Sequence, residues 1–108
     1  MSLKIVSINI ERDKHLSRVI PFIQSERPDV LCLQEVCEKD LPLFQKLMGG
    51  EYRFSRAREG GALGEGVVDG EAVFARMPVD EWIFAQYAGP EQLEPFDITS
   101  TRTQNETV

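Results

Sequence analysis

The sequence predicts an α/β fold of the α+β kind: a β-α-β-α start followed by antiparallel strands. Three observations carry the prediction. Leu3 to Ile10 ("LKIVSINI") alternates and is rich in β-branched residues, which favours a strand. Leu16, Val19, Ile20 and Ile23 then recur at i, i+3, i+4 and i+7, the spacing of one helix face. Val30 to Leu33 follows as an apolar run without alternation, as in a central strand covered by helices.

In the first strand, Leu3, Ile5, Ser7 and Asn9 fall on one face, and Lys4, Val6, Ile8 and Ile10 on the other. Asp13 is the expected N-cap of the first helix. Pro21 lies inside the helical pattern. It should remove one hydrogen bond and kink or split the helix. "ERPD", Glu26 to Asp29, should end it, because the residue before a proline avoids the α region. The second strand is expected over Asp29 to Glu35. Strand, helix, strand over about 35 residues forms a βαβ-like unit, whose strands most often pair in parallel.

Asp40 is the expected cap of a second helix carrying Leu41, Phe44, Leu47 and Met48, stopped by Gly49-Gly50. After this the pattern changes. "EYRFSRA" alternates as a strand, and "REGGALGEG" is a glycine-rich surface loop. "GVVDGEAVFAR" holds two apolar pieces around Asp69-Gly70, a hairpin or bulge signal. Met77-Pro78 closes that strand, and "EWIFAQYA" is a further candidate. Residues 88–108 show no period and are expected as a loop or frayed end. No internal repeat is visible. The chain is expected to form one incomplete domain over residues 1–108.

Composition narrows the function classes. A chain of 108 residues fits one domain with a modest core. The net charge is −6, so bulk electrostatics do not attract polyanions. A phosphate-bearing substrate would need a local counter-charge, for which a divalent cation is the usual device. No apolar run approaches the roughly 18 residues of a membrane span, and no signal-peptide pattern opens the chain. Cys32 and Cys37 do not form a CxxC motif. Cys32 is expected to be a small buried hydrophobe, with neither a disulfide nor a zinc site. A cytoplasmic location is expected.

Asn9 and Glu35 are the candidate site residues. Each lies near the C-terminal end of its strand, and the two strands are expected neighbours in a parallel sheet. Their side chains would emerge at the edge where open α/β sheets bind ligands. Glu35 offers carboxylate oxygens and Asn9 an amide oxygen, which suit Mg²⁺ or Mn²⁺. Arg53, Arg56 and Arg58 form a basic cluster, expected as a solvated strand face, with a phosphate contact as the alternative. His15, the sole histidine, is expected as a surface or boundary helix residue. "GGALGEG" matches neither a P-loop nor a dinucleotide fingerprint. Trp82, Phe84 and Tyr87 are expected as packing residues.

The order of these pieces resembles the endonuclease/exonuclease/phosphatase superfamily. "LKIVSINIE" is similar to its first strand ending in Asn, and "RPDVLCLQEV" to the strand whose Glu binds the metal. "GEAVFARMPV" follows the pattern through Gly70, Ala72, Val73, Arg76 and Pro78. The resemblance spans about residues 3 to 80. It implies a two-sheet αββα sandwich flanked by helices, and Mg²⁺-dependent cleavage of phosphate esters. Glu35 would match the metal-binding Glu, Asn9 the Asn near metal and phosphate, and Gln34 a supporting position. The later motifs of the superfamily, an Asp-x-Asn pair, a further metal-binding Asp and a C-terminal Asp-His, have no match in this chain.

The expectation is therefore the N-terminal half of a phosphoesterase or nuclease-like hydrolase, inactive as the isolated chain, with weak metal binding. The alternative is a non-catalytic binding or assembly module. Half a sandwich would self-associate or recruit a complementing C-terminal half. A phosphate ester is the expected substrate of the complete enzyme. Nucleic acid, nucleotide, inositol phosphate and lipid remain open as its class.

Overall fold

The structure is a computed structural model, and it describes residues 2–60, 64–83, 85–89 and 92–95. Strand β1 (Ile5–Asn9) leads into helix α1 (Leu16–Glu26), then β2 (Val30–Cys37). A 3₁₀ turn (Glu38–Asp40) precedes helix α2 (Leu41–Met48). Strands β3 (Glu51–Glu59), β4 (Val68–Ala75), β5 (Ala85–Gly89) and β6 (Gln92–Pro95) follow. The first four strands form one mixed sheet in the order β1-β2-β4-β3, and β5-β6 form a separate two-stranded sheet. The expected α+β class holds. β1 and β2 pair in parallel, while β4 runs antiparallel to both β2 and β3.

Register explains the core. Val6 and Ile8 sit beside Leu31 and Leu33. Leu31 and Leu33 pair with Phe74 and Ala72, which pair in turn with Tyr52 and Phe54. These residues share one sheet face, and Val19 and Ile23 of α1 and Leu41, Phe44 and Met48 of α2 join them in a single cluster. Phe74 is fully buried, with its ring 5.2 Å from Tyr52 and 6.1 Å from Phe44. Close-packed aromatic contacts of this kind carry much of the stability of a small core.

The opposite face carries Ile5, Ser7 and Asn9 of β1, and half-buried Val30, Cys32 and Gln34 of β2. Cys32 is thus on the more open face, and Cys37 is the buried cysteine. Both are free thiols. β2 looks apolar on both faces in sequence, yet among the described residues helices close only its Leu31-Leu33 face.

Several local expectations change. α1 runs unbroken through Pro21, because a proline in an exposed face sacrifices one bond without displacing Val19 and Ile23. His15, not Asp13, occupies the N-cap position, and Asp13 instead accepts a 3.0 Å bond from Lys39. Asp40 stands at the N-cap of α2 without a side-chain capping bond. Gly49 closes α2 in the left-handed conformation (φ 69°) as expected. β4 runs straight through Asp69-Gly70 with no turn. A Cβ at Gly70 would overlap the Ser55 carbonyl, so glycine is required by the close approach of β3. β6 lies in the stretch that shows no sequence period, since four residues are too few to display one. The rest of that stretch, 96–108, falls outside the described residues, as does Phe84.

Arg76 ties the far end of the sheet to the helices. It donates to the carbonyls of Pro28 (3.1 Å), in the turn after α1, and of Met48 (3.0 Å), an open acceptor at the end of α2.

Candidate functional site

β2 continues to Cys37, two residues past the expected end at Glu35. The reason is a β-bulge. Leu33 pairs with Ala72 and Val36 with Gly70, so Gln34 and Glu35 together oppose Glu71 alone. Strict alternation would send Glu35 to the same face as Leu31 and Leu33, into the core. The extra residue turns it out instead, while Leu33 and Val36 both stay fully buried. Glu35 adopts a left-handed backbone (φ 57°) to do this, a conformation that costs a non-glycine residue about 1–2 kcal/mol.

A second bulge lies across the cleft. Arg56 pairs with Gly70 and Arg58 with Asp69, leaving Ala57 as the extra residue of β3. It carries Arg58 to the face of Asp69. Bulges re-aim side chains in this way beside functional sites. Here the two bulges bring one acid and one base onto the face of Asn9.

Asn9 and Glu35 meet. Asn9 Nδ2 donates to Glu35 Oε2 at 3.0 Å, and Asn9 Oδ1 accepts from the Glu11 backbone N–H at 3.0 Å. The two bonds settle the amide orientation: reversing it would set oxygen against carboxylate and NH₂ against N–H. Asn9 therefore presents nitrogen, not oxygen, to Glu35. The backbone reinforces the link, with Ile10 N–H donating to Gln34 O (3.1 Å) and Arg12 N–H to Glu35 O (2.7 Å). Gln34 Nε2 donates to Ser7 Oγ at 3.0 Å. Glu11 (φ 51°) and Arg12 (φ 63°) are also left-handed, so with Glu35 three of the four non-glycine residues with positive φ among the described residues lie at this pair. Such strain persists only where the surrounding structure over-determines it.

The other oxygen of Glu35, Oε1, faces two guanidinium groups. Arg12 Nη1 lies 3.7 Å away and Arg58 Nη2 3.6 Å away. Arg58 grips Asp69 through two bonds, Nε to Oδ1 at 3.2 Å and Nη2 to Oδ2 at 2.6 Å. Asp69 is 1% exposed, and its carboxylate holds the Arg58 guanidinium above its ordinary pKa, through their hydrogen bonds first. A cleft of about 590 Å³ opens here, lined among others by Asn9, Gln34, Glu35, Arg58, Asp69 and Glu71.

The basic cluster divides. Arg58 and Arg56 line the cleft, Arg56 also pairing with Glu38 at 3.2 Å. Arg53 is buried, its guanidinium 4.9 Å from the Trp82 ring centre. His15 is bound at 2.9 Å to Glu11, whose carboxyl it holds below the usual value by that hydrogen bond. It is not among the residues lining the cleft. Sequence reasoning passed over Asp69, because Asp-Gly carries the composition of a turn. The available signal was an Asp directly after the apolar Val67-Val68 and separated only by Gly70 from the Glu71-Ala72-Val73 stretch of the same strand.

A hard cation with a mostly aqueous shell would meet Glu35 at Oε1, the oxygen that Asn9 leaves open and that Arg12 and Arg58 approach. Glu35 supplies a carboxylate that is oriented in advance, and Mg²⁺ is commonly held by one or two carboxylates plus water. Among the described residues, no group of three or more His, Cys, Asp or Glu is placed to hold a metal ion. No helix among them is long and apolar enough to cross a membrane.

Sheet, helices and cleft together form a mixed α+β scaffold. The chain belongs to the Endonuclease/Exonuclease/phosphatase family, whose model matches residues 6–108. Searches among curated proteins and among solved structures found no match.

Proposed function

We propose that this chain carries the metal-carboxylate part of a phosphoester-hydrolysing site, with Glu35 as the direct Mg²⁺ or Mn²⁺ ligand. One observation carries the reading. Glu35 is held in a strained backbone, at the rim of a cleft, by a bond from Asn9 that fixes its carboxylate. Family membership supports it. Asn9 acts on the metal through Glu35, and its own amide oxygen would ligate only after releasing the Glu11 N–H. A cation bound there would polarise a phosphoryl oxygen as a Lewis acid.

The isolated chain is expected to hydrolyse phosphate esters at no more than background rate. Among the residues lining the cleft there is no histidine, and the Asp69 carboxylate is engaged by Arg58. In-line attack on phosphorus also needs an oriented nucleophile. The test is hydrolysis of phosphomonoesters and phosphodiesters with Mg²⁺, alongside Mn²⁺ binding to Glu35→Gln. Near-background turnover, with Mn²⁺ binding lost in the variant, supports the proposal. Enzyme-like turnover that survives Glu35→Ala overturns it.

A second reading, an assembly module, is favoured by the open sheet face. Leu3 (57% exposed) and Ile5 (61%) adjoin half-buried Val30, Cys32 and Val73. Exposed apolar strips of this kind recruit partners. On this reading the chain self-associates, and light scattering on the purified protein would show dimers or larger species. A monodisperse monomer argues against it.

A further inference from the structure

Arg58 stands where two negative charges meet. Its Nη2 lies 2.6 Å from Asp69 Oδ2 and 3.6 Å from Glu35 Oε1. The two carboxylates differ in setting. Asp69 is buried and held by two bonds, whereas the Glu35 contact is longer and lies at the open side of the cleft. The Arg58 side chain is 52% exposed. Its Nη1 donors make no hydrogen bond among the described residues.

This arrangement works against a cation at Glu35. Oε2 is taken by Asn9, so a metal ion must approach by Oε1, where Arg58 and Arg12 already stand. Like charges a few ångströms apart repel, and they do so more strongly where protein excludes water. Among the described residues, the ion pair of Arg12 is with Glu35 alone. Arg58 has a long stem and an anchor, Asp69, that does not depend on Glu35.

We propose that Arg58 is a movable counter-ion that couples the binding of phosphate and metal in this cleft. With neither bound, it partly neutralises Glu35. An incoming phosphate group offers its free guanidinium edge a bidentate partner, the geometry that arginine matches best. Pivoting on its Asp69 anchor, Arg58 then shares its charge with the phosphate instead of Glu35, and Oε1 opens to the divalent cation. Each ligand tightens the binding of the other, as linkage requires. Arg58 is on this account a positioning residue for the metal and a binding residue for the phosphate. The inference rests on Glu35 being the metal ligand.

The test measures Mn²⁺ affinity by electron paramagnetic resonance, with and without inorganic phosphate, against a protein-free blank. In the wild type, phosphate should tighten Mn²⁺ binding on the order of fivefold or more. Removing Arg58 alone would strand the buried Asp69 charge and endanger folding, so the variant is Arg58→Ala with Asp69→Asn. It should bind Mn²⁺ more tightly than the wild type without phosphate, and phosphate should add little. Arg58→Lys keeps the charge but not the fork, and should keep the weak Mn²⁺ binding while losing most of the phosphate effect. Equal Mn²⁺ affinity in wild type and double variant, with an equal phosphate effect, overturns the role of Arg58 and leaves Glu35 as ligand. Unchanged Mn²⁺ binding in Glu35→Gln overturns both.

Discussion

Replacing Glu35 by glycine and, separately, by alanine isolates the strain in its backbone. Both substitutions delete the same carboxylate, so the contacts to Asn9, Arg12 and Arg58 cancel in the comparison. What differs is the cost of φ 57°. A left-handed conformation costs alanine about 1–2 kcal/mol. Glycine avoids that but loses about 0.5–1 kcal/mol more conformational freedom on folding. The glycine variant should therefore be more stable by about 0–1.5 kcal/mol, centred on ~0.75 kcal/mol. This inverts the usual order, in which alanine is the better residue inside an element. Urea denaturation of both variants measures the difference, and the melting temperatures should separate by about 4–8 °C per kcal/mol for a domain near 100 residues. Lys46, exposed in α2, is the control: there alanine should win by about 1 kcal/mol. If alanine is the more stable at position 35 by the margin seen at Lys46, the bulge does not hold Glu35 in the left-handed region, and the reasoning about its placement is wrong.

Other outcomes follow from the same structure. Phe74→Ala, at a fully buried position between two rings, should destabilise by about 3–5 kcal/mol in urea titration. Gly70→Ala should cost at least about 2 kcal/mol or prevent folding, since the new methyl meets the β3 backbone at Ser55 and Arg56. Asn9→Asp places a carboxylate against Glu35 and should destabilise, with Glu35→Gln recovering much of the loss in a double-mutant cycle. Glu11 and Asp13 have pKa values depressed by His15 and Lys39 respectively. Their contribution is present above the ordinary values of 4.5 and 3.8 and is lost as pH falls through the lower folded values. Glu11→Gln with Asp13→Asn should flatten that part of an acid-denaturation profile.

Much of the fold is visible in the sequence where one period runs long enough. The α1 face of Val19 and Ile23, the parallel pairing of β1 with β2, and the Gly49 stop all follow from spacing and backbone chemistry. The meeting of Asn9 and Glu35 follows as well, because parallel neighbours bring the same strand ends together. The two bulges are harder to see. A break in period was present, since Leu33 and Val36 are three apart and both buried, but an apolar run hides it. Arg58 and Asp69 become partners only through the Ala57 bulge, and no local pattern encodes a pairing 11 residues apart across a glycine-rich loop. Asn9 Oδ1 is an available ligand in composition; only the Glu11 N–H, two residues along in an Asx-type turn, claims it.

Paramagnetic broadening of amide and side-chain NMR signals by Mn²⁺ tests the central claim, that Glu35 on its bulge is the metal ligand. Broadening should centre on Glu35 and the Asn9 side-chain NH₂, extend to Gln34, and vanish in Glu35→Gln. Broadening centred instead on the acidic rim at Asp13 and Asp40, or unchanged by Glu35→Gln, would contradict the account.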